Sequence, residues 1–240
     1  MPEISKPTDR IYVPLDTPDV ERAVGLAQQL RGHVGGMKVG KELFMAGGPA
    51  AMERIAAQGM PIFLDLKWHD IPNTVASAVR AALPLKPAFV NIHASGGSAM
   101  IRAAAEAAKD GGADRPSLLA VTVLTSLAED DLADIGVGGG VEDQVVRLAK
   151  LAQANDADGV VCSAREIGAL RAACGPDFEL MVPGIRPAWS STDDQKRIMT
   201  PADAVAAGAD YLVIGRPITG AEDPVAAARR IGDELAGGTS

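Results

Sequence analysis

Phe63-Leu64-Asp65-Leu66-Lys67-Trp68-His69-Asp70-Ile71-Pro72-Asn73-Thr74 opens as a strand and closes as a loop. The apolar run from Pro61 to Leu64 leads in. Pro72 bars the residue before it from the helical region, and Asn73-Thr74 supplies turn and cap chemistry. Side chains two apart on a strand share a face, so Asp65 and Lys67 point one way and Leu64 and Leu66 the other. Three charges of alternating sign, Asp65, Lys67 and Asp70, therefore gather at one strand end. That spacing suits an enzyme that sets a carboxylate against an ammonium near a reacting carbon. An ordinary ion-pair network at a wet strand terminus would show the same bare D-x-K-x-x-D pattern.

On either side of this strand, short β-like runs alternate with Ala-rich helical stretches, with Gly or Pro at most joins. Besides the stretch itself, strands are expected at Ile11 to Leu15, Met37 to Val39, Phe89 to His93, Leu118 to Leu124, Gly159 to Cys162, Glu179 to Val182 and Tyr211 to Ile214. Helices are expected from Thr17-Pro18 to about Leu30, Gly48 to Gln58, Val75 to Leu83, after Gly97 to Lys109, Val141 to Gln153, Ala164 to Ala173, Pro201 to Ala207 and Pro224 to Leu235. The alternation implies a parallel sheet, and eight such units imply a closed (β/α)8 TIM barrel rather than an open doubly wound sheet. The 240 residues carry no internal linker or low-complexity tract, so one domain over 1–240 is expected.

Composition narrows the function. The hydrophobic fraction is 47% with only 3% aromatic, so Ala, Val, Leu and Ile are expected to fill the core. A net charge of −8 argues against a nucleic-acid surface, and an anionic ligand must be caught by local cations. Met1 to Arg10 contains no apolar core of a signal segment, and nowhere does an uncharged apolar run approach a membrane span. A cytoplasmic protein is the expectation, with Cys162 and Cys174 as free thiols and Cys162 as a small core hydrophobe.

In such a barrel the active site lies at the C-terminal ends of the strands, and phosphate is commonly held after strands 7 and 8. The polar residues follow that rule: Asp16 after strand 1, Lys38 on strand 2, Asp65 and Lys67 on strand 3, His93 on strand 4, Thr125 after strand 5, Arg186 after strand 7 and Arg216 after strand 8. Ile214-Gly215-Arg216-Pro217 reads as a phosphate grip, since Gly215 lets the backbone approach an anion and Arg216 can bind it with two donors. The helix opening near Asp223 would add its N-terminal dipole. Gln195, in the polar loop between strands 7 and 8, either bridges phosphate and base or is a surface side chain.

The string D-L-K-W-H-D-I-P-N-T resembles the signature of the orotidine 5'-phosphate decarboxylase family. Lys38-Val39-Gly40-Lys41, Val121-Thr122-Val123-Leu124-Thr125-Ser126, Pro183-Gly184-Ile185-Arg186 and Ile214-Gly215-Arg216 extend the likeness over almost the whole chain. The resemblance implies decarboxylation of a nucleotide, orotidine 5'-phosphate, to uridine 5'-phosphate in pyrimidine biosynthesis, with no cofactor and no metal. Carried over, Lys67 is the catalytic lysine, with Lys38, Asp65 and Asp70 completing its charged array. Asp16 binds the ribose, Thr125 the pyrimidine, and Arg186, Gln195, Gly215 and Arg216 the phosphate side. Asp70, Ile71 and Thr74 reach into a neighbouring subunit's site, which implies a homodimer with shared active sites.

Decarboxylation at an sp² carbon leaves a localised carbanion, so a cation already in place and a proton donor lower the barrier. Lys67 can serve as both, and flanking carboxylates favour its charged form. Two other readings stay open on the residues alone: a magnesium-dependent relative acting on sugar phosphates, and a phosphate-binding barrel without chemistry. A metal held by Asp65, Asp70 and His69 or His93 would have Lys67 set among its ligands, repelling a dication. If the lysine does the work of a metal, turnover of orotidine 5'-phosphate should survive exhaustive EDTA treatment; activity lost to chelation and restored by magnesium would favour the sugar-phosphate reading.

Overall fold

The computed structural model describes residues 4–190 and 199–237. Eight parallel strands close into one barrel in sequence order: β1 (Ile11–Pro14), β2 (Gly36–Gly40), β3 (Ile62–Trp68), β4 (Phe89–His93), β5 (Ser117–Val121), β6 (Gly159–Val161), β7 (Glu179–Pro183) and β8 (Tyr211–Val213), with β8 pairing back on β1. The helices are α1 (Val20–Leu30), α2 (Lys41–Ala56), α3 (Pro72–Ala82), α4 (Gly97–Lys109), α5 (Glu129–Asp134), α6 (Val141–Gln153), α7 (Ile167–Cys174), α8 (Pro201–Ala207), α9 (Arg216–Thr219) and α10 (Pro224–Leu235). This is the (β/α)8 TIM barrel read from the alternation. Among the described residues no helix is long and apolar enough to cross a membrane.

Closure buries both faces of each strand, which is why the strands read as continuous apolar runs. Between sheet and helices lies the expected aliphatic layer, including Val39, Leu64, Ala104, Leu118 and Ile231. The barrel interior is different. Tyr12, Phe63, Phe89 and Tyr211 fill it with Leu119, Met181 and Val213, so half of the chain's eight aromatics sit in this one small volume. Their rings meet edge to face, Phe89 on Tyr211 at 4.8 Å and Tyr12 on Phe89 at 5.4 Å, the arrangement that aromatic quadrupoles favour. Gly36 makes room for this: a Cβ there would lie 2.3 Å from the Tyr12 ring.

Several junctions differ from the sequence expectation for local reasons. α3 begins at Pro72 rather than Val75, because proline at the first helical position is already set for the helix and Ile71 before it is extended. Asn73 and Thr74 therefore lie in the first turn instead of capping it. α2 starts at Lys41 and is interrupted at Gly48, whose φ of 57° breaks the helix just before Pro49. β5 stops at Val121, leaving Val123 to Thr125 in the loop, and α5 forms within the loop that follows. The helix next to the expected phosphate grip is α9, not the one capped by Asp223.

The N-terminal end of the barrel is held by paired charges. Asp158 accepts the Leu118 amide at 2.8 Å and pairs with Arg115; Asp210 accepts the Leu180 amide at 2.8 Å and pairs with Arg171, which also donates to Phe178 and Gly208 carbonyls. Glu179 opens β7 beneath the aromatic cluster and is buried, within 3.4 Å of the Ser117 hydroxyl that donates to it. Burial, then the negative charges of Asp158 and Asp210, push its carboxyl up to about 7 against the Ser117 bond. Because the folded value is raised from 4.5, the fold favours the protonated acid: this stability is fully present below the ordinary value and is lost as pH rises through about 7. Glu179→Gln should therefore melt close to wild type at pH 5 and be more stable at pH 8, by on the order of 3 kcal/mol. Equal melting shifts at both pH values would show that the carboxyl is already ionised in the fold.

Candidate active site

The C-terminal ends of β1 to β3 carry a line of alternating charges. Lys38 Nζ lies 3.3 Å from Asp16 Oδ1 and 3.3 Å from Asp65 Oδ2, while Lys67 Nζ donates to Asp65 Oδ1 at 2.5 Å. Parallel pairing sets this up: Gly40 lies opposite Asp65 and Lys38 opposite Phe63, so Lys38 stands one same-face step before Asp65 and its long side chain reaches forward to the carboxylate. Gly40 also leaves space for the line, since a Cβ there would come within 3.2 Å of Lys38 Nζ. Asp16 at its outer end is exposed, whereas Asp65 is buried.

Burying Asp65 raises its carboxyl toward the neutral form. The charges of Lys38 and Lys67 and hydrogen bonds from Lys67 and Asn91 outweigh that, holding it below the ordinary aspartate range. It is thus an anion kept in place by two cations, one of them Lys67, which remains partly open to solvent.

A cavity of about 200 Å³ opens beside the line. Lys38, Asp65, Lys67 and Thr125 supply its polar groups; Val123, Cys162 and Pro183 are among its apolar ones. Cys162 is buried, and burial pushes its thiol far up, as befits a small core hydrophobe in the cavity wall. His93 ends β4, and its ring lies 5.5 Å from that of His69. Burial first, then the neighbouring His69 and lysine charges, hold His93 below its usual value.

The other expected site residues are placed as follows. Asp70, Ile71 and Thr74 are exposed on the β3–α3 connection; Asp70 accepts the Ile71 amide at 2.6 Å, and the ion pair of Lys67 is made with Asp65. Arg186 is buried just after β7, its amide donating to the Met199 carbonyl at 3.3 Å. Gly215 forms the N-cap of α9, and Arg216 projects exposed from its first turn. Gln195 lies outside the described residues.

Sequence reasoning passed over Asn91. It is fully buried on β4, with its Oδ1 accepting the Lys67 amide at 2.7 Å and its Nδ2 donating to Asp65 Oδ1 at 2.7 Å. The available signal was a lone amide inside the apolar run Phe89-Val90-Asn91-Ile92, since a buried polar side chain requires partners. Lys67 itself has a left-handed backbone, φ 53°, which a period-two reading of the strand does not anticipate.

Residues 9–231 match the family described as Orotidine 5'-phosphate decarboxylase / HUMPS family. The chain is 56% identical over 229 residues to orotidine 5'-phosphate decarboxylase of Paramagnetospirillum magneticum, covering 94% of this chain and 97% of that one. It is 53% identical over 242 residues to the protein of the same description from Rhodospirillum rubrum, covering 99% and 98%. The crystal structure of orotidine 5'-phosphate decarboxylase from Lactobacillus acidophilus superposes with a TM-score of 0.84 at 40% identity, covering 94% and 98% of the two chains.

The charge line makes Lys38 a support for Asp65. With its folded value depressed, Asp65 contributes stability that is present above the ordinary aspartate value and lost as pH falls through the folded one. Lys38→Ala should cost about 3–5 kcal/mol in a urea titration at pH 7, the range for breaking a buried pair, and its acid unfolding should begin at higher pH than in wild type. Asp16→Ala, on the exposed end, should cost about 0–1 kcal/mol. Equal costs for the two would mean that the buried carboxylate does not depend on Lys38.

Proposed function

Because the chain belongs to the orotidine 5'-phosphate decarboxylase family, we propose that Lys67 is both the waiting cation and the proton donor of its reaction, at a site completed by a second copy of the chain. The reaction is the conversion of orotidine 5'-phosphate to uridine 5'-phosphate and CO2, a carboxy-lyase step of UMP biosynthesis. The observation that carries the residue assignment is the buried Asp65 carboxylate gripped by Lys38 at 3.3 Å and Lys67 at 2.5 Å beside the cavity.

As the bond from ring carbon to carboxylate breaks, its electron pair stays on the carbon. A fixed ammonium next to that carbon stabilises the charge without reorganising at the moment of reaction, and groups of this kind are worth about 10²–10³ in rate. The same ammonium then gives its proton to the carbon, so CO2 leaves and a C–H bond replaces the C–C bond. Asp65 orients Lys67, and Lys38 balances Asp65. Asp16 holds the ribose and Thr125 the pyrimidine. Arg186, Gln195, Gly215 and Arg216 form the phosphate side, whose remote contacts help to draw the loops closed. On this reading neither metal nor cofactor takes part.

Asp70, Ile71 and Thr74 act in the partner's site. Support comes from their exposure and from three large apolar side chains on the segments after β3, β2 and β5, Ile71, Met45 and Ile135, which stand 67%, 82% and 69% exposed. The family resemblance also supports a cytoplasmic location.

Lys67→Ala and Asp70→Ala would then damage different sites of a homodimer. Each variant alone should be severely impaired, but a mixed dimer has one site with both defects and one with neither. Random subunit exchange between the two should restore up to about one quarter of wild-type activity per subunit, from counting sites under two-fold symmetry. No recovery despite demonstrated exchange would place Asp70 in the same site as its own chain's Lys67.

A further inference from the structure

β3 and β4 fall out of step at the active site. Leu64 pairs with Val90 and Trp68 with Ile92, so Asp65, Leu66 and Lys67 on β3 face the single residue Asn91 on β4. A bulge of this size removes ladder partners and bends the strand. Lys67 takes up the bend in a left-handed conformation that non-glycine residues rarely adopt, and such strain persists only where neighbours enforce it.

Asn91 is the neighbour in position to do so. Its fully buried amide is bound at both ends, by the Lys67 N–H on Oδ1 and by Asp65 Oδ1 on Nδ2, each at 2.7 Å. One planar group therefore spans the two residues whose side chains must meet, and the carboxylate oxygen it holds is the one that receives Lys67 Nζ at 2.5 Å. Asn91 is not among the residues lining the cavity.

We propose that Asn91 is a positioning residue for the decarboxylation, holding the left-handed turn at Lys67 and the orientation of Asp65 with the two ends of one amide. The inference rests on the catalytic assignment of Lys67. An aliphatic residue at 91 would leave the Lys67 amide without its acceptor, and the bulge would then relax toward regular pairing. The ammonium would swing away from the reacting carbon, while the groups that hold the nucleotide stay where they are.

The test compares Asn91→Ala, Asn91→Asp and Lys67→Ala in the full chain, measuring kcat with orotidine 5'-phosphate, the Kd of uridine 5'-phosphate by calorimetry, and the melting curve. Asn91→Ala should lose about 10²-fold in kcat, the scale of a misplaced catalytic group, with product affinity held within about threefold. Should Asn91→Ala not fold, Asn91→Asp decides: it keeps the shape and the acceptor for the Lys67 amide but loses the donor to Asp65, and kcat should again fall with product affinity retained. Wild-type kcat in a folded Asn91 variant, or a parallel loss of kcat and product affinity, overturns the proposal. So does failure of both variants to fold, which would make Asn91 a core-stability residue. If Lys67→Ala itself turns over normally, the assignment of Lys67 has failed instead, and the two results are read apart on the same plate.

Discussion

A carboxylate withdrawn from water at a strand end stays ionised only where cations and donors face it, and the mouth of this barrel is arranged around that requirement for Asp65. Lys38 arrives from β2, Lys67 from the same strand and Asn91 from β4, so three consecutive strands converge on one anion. The electrostatics are collective. Burial works against the charge, each lysine offsets part of that, and the result is an aspartate held below its usual range. Placing Lys67 is one consequence of solving the problem of Asp65, since its ammonium is one of the groups that hold the carboxylate.

The two ends of the barrel divide the labour. At the N-terminal end, Asp158 and Asp210 cap strand amides and are in turn gripped by Arg115 and Arg171, an arrangement with full partners that serves closure. Between the ends, the edge-to-face aromatics around Tyr12 make a rigid plug. At the C-terminal end, the charges lie beside a cavity and the connections carry exposed apolar side chains. Irregular backbone at a strand end also appears there: the bulge on β3 falls beside the cavity, in the strand that supplies Asp65 and Lys67.

Most of the architecture was legible in the chain. Strand-length apolar runs separated by Ala-rich helical stretches require a parallel sheet, and eight of them in about 240 residues close into a barrel. Asp16, Lys38, Asp65 and Lys67 could be assigned to the C-terminal ends of their strands because polar residues interrupting such runs are tolerated where the strand leaves the core, whereas Thr125 lies in the loop beyond the end of β5 at Val121. α6, α8 and α10 were readable to the residue, each opening at a recognisable start: Gly140 before Val141, and Pro201 and Pro224 at the first helical position behind Thr200 and Asp223. The aromatic plug was not legible, because a 3% aromatic content says nothing about where those rings gather. The short helices α5 and α9 were also missed, since one or two turns leave almost no periodic signal.

The amino-acid sequence by itself determined the order of elements and which charges gather at the C-terminal ends of the strands, because these follow from hydrophobic period and from residues adjacent in the chain. Tertiary structure decided how the charges meet. Alternation along a strand predicted Asp65 and Lys67 on one face, yet they meet through a bulge and a left-handed lysine that hold only because Asn91, 24 residues beyond Lys67, faces them across the sheet. Register is a property of two paired strands rather than of either alone, so no reading of β3 in isolation contains it.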